Sequence, residues 1–88
     1  MYRDLYSEEI TKKLARIRKK DPSHYSKVIK KIDSILENPN HKYKFLHHNM
    51  KGVNRVHISH FVLVFVVNHK DKIISFEDYD HHDNIYKA

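Results

Sequence analysis

Side chains suited to acid–base catalysis are concentrated in the second half of this 88-residue sequence. Arg55, His57 and His60 occur within six residues, and His82 lies in a polar segment near the end. Imidazole titrates near neutral pH and can serve as a general acid or a general base. Arginine can bind a phosphate through two parallel hydrogen bonds and stabilise developing negative charge. Together, these residue types could transfer protons at a phosphate ester.

Two other interpretations of the histidines stay open. Any one of the nine histidines is more often a surface residue than a catalyst. A zinc or nickel site is the second alternative, because His57, His60, His81, His82 and Asp83 include suitable ligand types. The sequence has no helical His-x-x-x-His pair and no compact ligand spacing, so we expect neither a metal nor another cofactor.

Composition narrows the class of partner. The formal net charge is +6 and the sequence pI is about 9.6, which favours a polyanion, an acidic protein or a membrane surface as partner. Cysteine is absent, which excludes disulfides and suits a cytoplasmic protein. The longest apolar run, residues 61–67, is far shorter than the roughly 20 residues of a membrane-spanning helix. We therefore expect a soluble protein that does not insert into a membrane.

The first half predicts two helices that support the rest of the chain. The length predicts one domain, residues 1–88, and residues 2–5 could form a short edge strand. Ser7 is suited to cap a helix that ends near Lys20, and Asp21-Pro22 is suited to start another that ends at Asn38. Both helices carry an apolar stripe, and their short joint predicts an antiparallel hairpin.

The second half predicts a small antiparallel sheet. Residues 41–50 are polar and basic, which predicts a crossing loop that Phe45 and Leu46 pin to the core. Gly52 precedes a half-exposed strand of about six residues, residues 61–67 form a continuously apolar central strand, and residues 72–76 form a third strand. Residues 77–88 form a histidine-bearing tail. The predicted fold is α+β in the order β-α-α-β-β-β.

Strand parity indicates which candidates meet. Arg55 and His57 share one face of their strand, and the tail leaves the neighbouring strand close to them. His60 has the opposite parity unless the turn at Ser59-His60 reorients it. The cations Lys42, Lys44, His47 and His48 could follow a phosphate backbone, although a solvated loop explains them equally well.

With this order of elements, the sequence resembles the RelE/ParE superfamily of toxins from type II toxin–antitoxin systems along its whole length. The specific features are Lys51-Gly52 at a strand start, Arg55-Val56-His57-Ile58 before an apolar strand, and His82 four residues before Tyr86. These features are most similar to the YafQ branch of ribosome-dependent messenger-RNA endonucleases.

The resemblance assigns roles to residues. It implies that His57 and His82 are catalytic, that Tyr86 is the terminal aromatic, and that His47 or His48 takes the place of a loop histidine. His60 falls where that branch has an aspartate. The RelE branch proper has arginines at the positions of Val62 and Asp80, so the implied chemistry here is histidine-centred.

The predicted site therefore has two sets of residues. The catalytic set is His57, His82, Arg55 and His60. The set that binds RNA or phosphate is Lys42, Lys44, Lys51, His48, His81 and Tyr86.

The resemblance also implies partners. It predicts cleavage of messenger RNA on the ribosome and neutralisation by a cognate antitoxin, with which the toxin could form a heterotetramer. We expect the antitoxin to be acidic where it contacts this chain and to cover the helical pair and the basic cleft. The alternative is a binding module of the same fold that does not cleave RNA, or a toxin that acts on another target such as gyrase.

Overall fold

The computed structural model describes residues 1–47 and 49–86. Its elements, in chain order, are β1 (Arg3–Tyr6), α1 (Glu8–Lys20), α2 (Pro22–Glu37), β2 (Lys44–Phe45), β3 (Val53–Ile58), β4 (Phe61–Asn68), β5 (Ile73–His81) and α3 (His82–Ile85). The strands form one sheet in the order β1-β5-β4-β3-β2. In the described part of the chain, no helix has the length and apolar character needed to cross a membrane.

Both long helices begin at the caps that the sequence predicts. Ser7 Oγ accepts a hydrogen bond of 3.1 Å from the Ile10 N–H, and Asp21 Oδ1 accepts one of 3.1 Å from the His24 N–H. These bonds satisfy backbone donors that have no partner within the helix. Asp21 alone separates α1 from α2, so the predicted helical hairpin is confirmed.

The predicted antiparallel meander is confirmed, and the structure adds a parallel pair at its edge. β3, β4 and β5 pair antiparallel in sequence order, and the continuously apolar β4 is the third of five strands. The predicted N-terminal edge strand is present as β1, which pairs parallel to β5. The sheet is therefore mixed, and the fold is α+β.

The main core lies between the two long helices and one face of the sheet. Its buried side chains are Ile10, Leu14, Val28, Ile32, Ile35, Leu63, Phe65, Ile74, Phe76 and Tyr79. Val62 and Val64, on the other face of β4, are buried as well. Burial on both faces explains why β4 is apolar throughout, whereas β3 alternates.

One correction concerns residues 41–50, which we expected to be an irregular loop. They contain β2, in which Lys44 and Phe45 pair with β3. The predicted anchor is also wrong in part, because Phe45 is 41% exposed. Tyr43 anchors the segment instead, because its ring centroid lies 5.1 Å from that of the buried Phe65. Its hydroxyl also donates a 2.8 Å hydrogen bond to the carbonyl oxygen of Asn38, the C-cap of α2. Two paired residues are too few to show an alternating pattern.

A second correction concerns the third strand of the meander, which we expected to end at Phe76. β5 continues to His81 through a bulge, because Phe65 pairs with Phe76 whereas its neighbour Val64 pairs with Asp78. Glu77 is the extra residue, and its carbonyl accepts a 2.6 Å hydrogen bond from Ser7 Oγ. A bulge shifts the alternation by one residue. Much of the predicted tail is thus part of the sheet.

Candidate active site

Histidines from three elements surround an open cleft of about 330 Å³. The cleft lies where β3 turns into β4 and where β5 turns into α3. Its lining residues are His57, Ser59, His60, His81, His82 and Asp83. A 2.7 Å hydrogen bond from the His82 N–H to the His60 carbonyl joins the two turns. The cleft is therefore formed by backbone contact between segments far apart in sequence.

Arg55 and His57 lie on the same face of β3, as strand parity predicts. Arg55 Nη1 lies 2.9 Å from His57 Nε2, and Arg55 Nε donates a 3.1 Å hydrogen bond to the Phe45 carbonyl. A guanidinium has donors only, so Nε2 of His57 accepts and the neutral ring carries its proton on Nδ1. Arg55 is thereby fixed between β2 and the imidazole.

The electrostatic surroundings favour the neutral form of His57. Partial desolvation lowers the pKa of His57, and nearby positive charge lowers it further. That charge comes, in decreasing order, from Arg55, His82 and Lys44. Lys44 is the cross-strand partner of Arg55, which places it on the same side of the sheet. A neutral imidazole near pH 7 has the capacity to take up a proton.

His82 faces His57 from the first turn of α3. The two ring centroids are 6.0 Å apart. The Tyr86 ring lies 4.7 Å from that of His82, and the His47 ring lies 5.7 Å from that of Tyr86. These four rings form a connected series from β3 through α3 to the segment that precedes β3.

His60 and His81 form a second pair at the same cleft. Their rings are stacked with centroids 6.3 Å apart. Ser59 has φ of 56°, and this tight turn brings His60 to the cleft despite its parity. His81 Nδ1 accepts a 3.2 Å hydrogen bond from the Asp83 N–H. The pair is separate from His57 and His82 but opens into the same space.

The other predicted residues have different positions. Lys42 and Lys51 are exposed and are not among the residues that line the cleft. His48 lies outside the described residues. The sequence prediction did not include Ser59 in the site, it named Asp83 only as a ligand of the alternative metal site, and it left the choice between His47 and His48 open. The position of Asp83 directly after two histidines was the available indication for that residue.

Metal binding is the remaining chemical question. Among residues 1–47 and 49–86, no group of three or more histidine, cysteine, aspartate or glutamate side chains is arranged to hold a metal ion. The side chains present can move protons and bind an anion.

Comparison with known proteins gives a consistent picture. No protein-family model matches the chain. The chain is 42% identical over 88 residues to a candidate toxin of Methanocaldococcus jannaschii named RelE4, a match that covers 99% of this chain and 93% of that protein.

Two solved structures have a similar fold. The E. coli DinJ–YafQ complex matches with a TM-score of 0.78 and 17% identity, covering 98% of this chain and 99% of that one. The intact E. coli RelBE toxin–antitoxin complex matches with a TM-score of 0.77 and 17% identity, covering 92% and 96%. At this identity the structures share the fold.

Proposed function

Because this chain belongs to the RelE family of toxins of toxin–antitoxin systems, we propose that it is a ribosome-dependent messenger-RNA endonuclease neutralised by a cognate antitoxin. The observation that supports this most directly is the position of His57 and His82, which face each other across one cleft with ring centroids 6.0 Å apart. Arg55 is hydrogen-bonded to His57 at 2.9 Å. Together they provide a base, an acid and a cation at one place.

In the proposed reaction, the ribose 2′-oxygen attacks the adjacent phosphorus while the bond from phosphorus to the 5′-oxygen breaks. A base must accept the 2′-hydroxyl proton, and an acid must protonate the departing 5′-oxygen. His57 is the proposed base, because its lowered pKa keeps it neutral. His82 is the proposed acid. The products are a 2′,3′-cyclic phosphate and a 5′-hydroxyl end, and no water or metal is consumed.

Arg55 has two proposed roles. In the free protein it occupies the lone pair on Nε2 of His57. When a phosphate enters, the guanidinium can turn to bind it with two parallel hydrogen bonds, and this frees Nε2 to accept the proton. Charge that grows on the phosphate is then stabilised by a cation already in place. Arrival of the substrate and activation of the base are coupled in this scheme.

We propose that messenger RNA reaches the cleft on the ribosome. Three exposed lysines lie near the sheet edge that β2 forms. Lys44 is in β2, Lys42 precedes β2, and Lys51 precedes β3. They support contact with a phosphate backbone, and Tyr86 next to His82 offers a ring on which a base can stack. The proposal locates the protein with the translating ribosomes of the cytoplasm.

We propose that the antitoxin covers the helical hairpin. An open groove of about 650 Å³ runs along α1 and α2. Leu14, Ala15 and Ile29 provide its apolar floor, and Arg18 and Lys19 lie along it. An amphipathic helix with acidic flanks fits this surface by apolar burial and charge complementarity. Light scattering of the purified complex tests whether the assembly is a heterotetramer.

Induced expression in a bacterial host tests the function. Wild type is compared with His57→Ala and His82→Ala, and message ends are mapped by primer extension. His69→Ala is the matched control, because His69 is an exposed histidine in the turn between β4 and β5. We expect growth arrest with cuts in phase with the reading frame for wild type and the control, and neither effect for the two site variants.

Two results would contradict the proposal. Growth arrest without cuts would indicate a toxin that binds another target. Unaltered cutting by His57→Ala, with its folding confirmed by circular dichroism, would remove the histidine mechanism.

A further inference from the structure

The helix that carries His82 cannot fix its own position. α3 contains four residues, His82–Ile85, and a helix of about one turn is not stable by itself in water. Its place must therefore be set by contacts with the rest of the protein. One is the hydrogen bond from the His82 N–H to the His60 carbonyl. The others include the contacts of a carboxylate at the end of β5.

That carboxylate belongs to Asp80. Its Oδ1 accepts hydrogen bonds from the His81 N–H at 2.7 Å and from Asn84 Nδ2 in α3 at 2.9 Å. Its Oδ2 accepts one from Lys13 Nζ in α1 at 2.8 Å. Asp80 thus contacts the residue before His82, the residue two positions after it, and a helix from the other end of the chain.

Lys13 is held at the edge of the sheet by two carboxylates. β1 pairs only with the first part of β5, Ile73 to Phe76. Where β1 has ended, Lys13 of α1 lies beside β5, and its Nζ is 2.8 Å from both Asp78 Oδ1 and Asp80 Oδ2. The Lys13 and Asp80 side chains are only 20% and 28% exposed. Burial alone would lower the pKa of Lys13, but its hydrogen bonds to Asp78 and Asp80 raise it.

The same contacts stabilise the ionised form of Asp80. Burial would raise its pKa, but hydrogen bonds from Lys13, Asn84 and the His81 backbone lower it. An ionised acceptor makes shorter and stronger hydrogen bonds than a neutral one. Asp80 is therefore a fixed, charged junction between β5, α1 and α3.

We propose that Lys13, Asp80 and Asn84 form a positioning triad that holds α3, and with it His82, at the distance from His57 that catalysis requires. The inference rests on the proposed function for its catalytic part. None of the three residues lines the cleft, so they act through His82 and do not contact the substrate. An error of about 1 Å in the position of a catalytic group can cost roughly a hundredfold in rate.

A simpler explanation is that Lys13 only attaches α1 to the sheet. Asn84 separates the two explanations. It is exposed, and its side chain bonds to Asp80. Asn84→Ala leaves both bonds of Lys13 in place, so a purely structural attachment of α1 would not change. Only the link from Asp80 to α3 is lost.

The first readout is independent of activity. Hydrogen exchange at the His82 backbone N–H reports how firmly α3 is held against the His60 turn. We expect exchange to become roughly tenfold faster in Asn84→Ala and in Lys13→Met, because each variant removes one charge-assisted hydrogen bond to Asp80. Exchange at Leu63 in β4 should not change. Lys12→Met is the control for Lys13→Met, and Lys13→Arg should restore wild-type exchange.

The second readout is ribosome-dependent cleavage. In Asn84→Ala we expect kcat to fall roughly tenfold to a hundredfold with KM within about twofold of wild type, because substrate contacts are intact. Unchanged exchange at His82, or faster exchange with unchanged kcat, would overturn the inference. Should wild type fail to cut RNA, the proposed function falls, and the exchange measurement alone decides whether the triad positions α3.

Discussion

Arg55 donates a hydrogen bond to Nε2 of His57 across 2.9 Å, so the free protein holds the proposed base and the proposed phosphate ligand against each other. The contact blocks the lone pair that would accept a proton. It also keeps the imidazole neutral, because a positive charge at this distance opposes protonation. In the proposed mechanism, His57 therefore stays engaged until an anion draws Arg55 away.

Removing Arg55 should raise the pKa of His57. Arg55→Ala deletes the positive charge that lowers this pKa most, so the pKa should move towards the usual histidine value of about 6.5. Titration of the His57 ring by NMR measures the change. Lys44→Ala, which removes the positive charge with the smallest effect on this pKa, should produce a smaller rise. An equal shift in both variants would show that Arg55 contributes no more than Lys44 to lowering this pKa.

Losing the partner of a buried tyrosine should cost stability. His24 Nε2 lies 2.6 Å from the Tyr79 hydroxyl, and Tyr79 is 1% exposed. His24→Ala leaves that hydroxyl without its partner, which should lower the free energy of unfolding by about 1–3 kcal/mol. Urea denaturation measures the loss.

The double variant is the control for that experiment. When Tyr79→Phe is added to His24→Ala, the unpaired hydroxyl is gone, so part of the lost stability should return. Simple addition of the two single effects would show that the hydrogen bond contributes nothing.

Two phenylalanines with opposite burial should respond differently to truncation. Phe65 is 0% exposed at the centre of the core, whereas Phe45 is 41% exposed. Phe65→Ala should destabilise the fold by about 3–5 kcal/mol, and Phe45→Ala should change stability by no more than about 0.5 kcal/mol. Thermal or urea unfolding compares them. A large loss in Phe45→Ala would show that β2 carries more of the fold than its exposure indicates.

The contribution of Asp80 to stability should depend on pH. Its pKa is lower in the folded protein than in the unfolded chain, so the unfolded state binds more protons as pH falls. Stabilisation is therefore complete above the unfolded value of about 3.9 and is lost as pH falls through the folded pKa.

Lys13→Met tests that dependence. The difference in unfolding free energy between wild type and Lys13→Met should be present at neutral pH and shrink in acid. A difference that stays constant across this range would mean that the ion pair is not its source.

Cleavage of RNA without ribosomes should be weak or absent. The cleft is open and small, about 330 Å³, which offers little surface for selecting or bending an RNA strand. Incubation of the purified protein with naked message, alongside translating ribosomes, measures this. Robust sequence-specific cutting of the naked message would contradict the proposal that the ribosome presents the substrate.

Local patterns in the sequence were sufficient for most of the elements. The caps at Ser7 and Asp21 and the apolar stripes of both helices depend on neighbouring residues, and each matches the structure. Val56 and Ile58 of β3 pack against the core, as the predicted alternation requires. The shared face of Arg55 and His57 follows from the same alternation. These features are local because backbone geometry fixes which residues share a face.

Long-range contacts decided the rest. If the alternation of β5 continued unchanged after Phe76, Asp80 would face the core. The bulge at Glu77 shifts the alternation by one residue, so Tyr79 faces the core instead. Ser7, 70 residues away, donates the hydrogen bond to Glu77. No pattern within residues 72–81 contains that partner.

The sequence by itself thus determined the two long helices, the order of the strands in the meander and the residue types available for catalysis. Only the tertiary structure decided that His60 and His81 open into the cleft of His57 and His82, and that Asp80 is bonded to Lys13 and Asn84. The physical reason is that propensity and periodicity act over a few residues. A bulge, a tight turn or an ion pair depends on partners that only folding brings together.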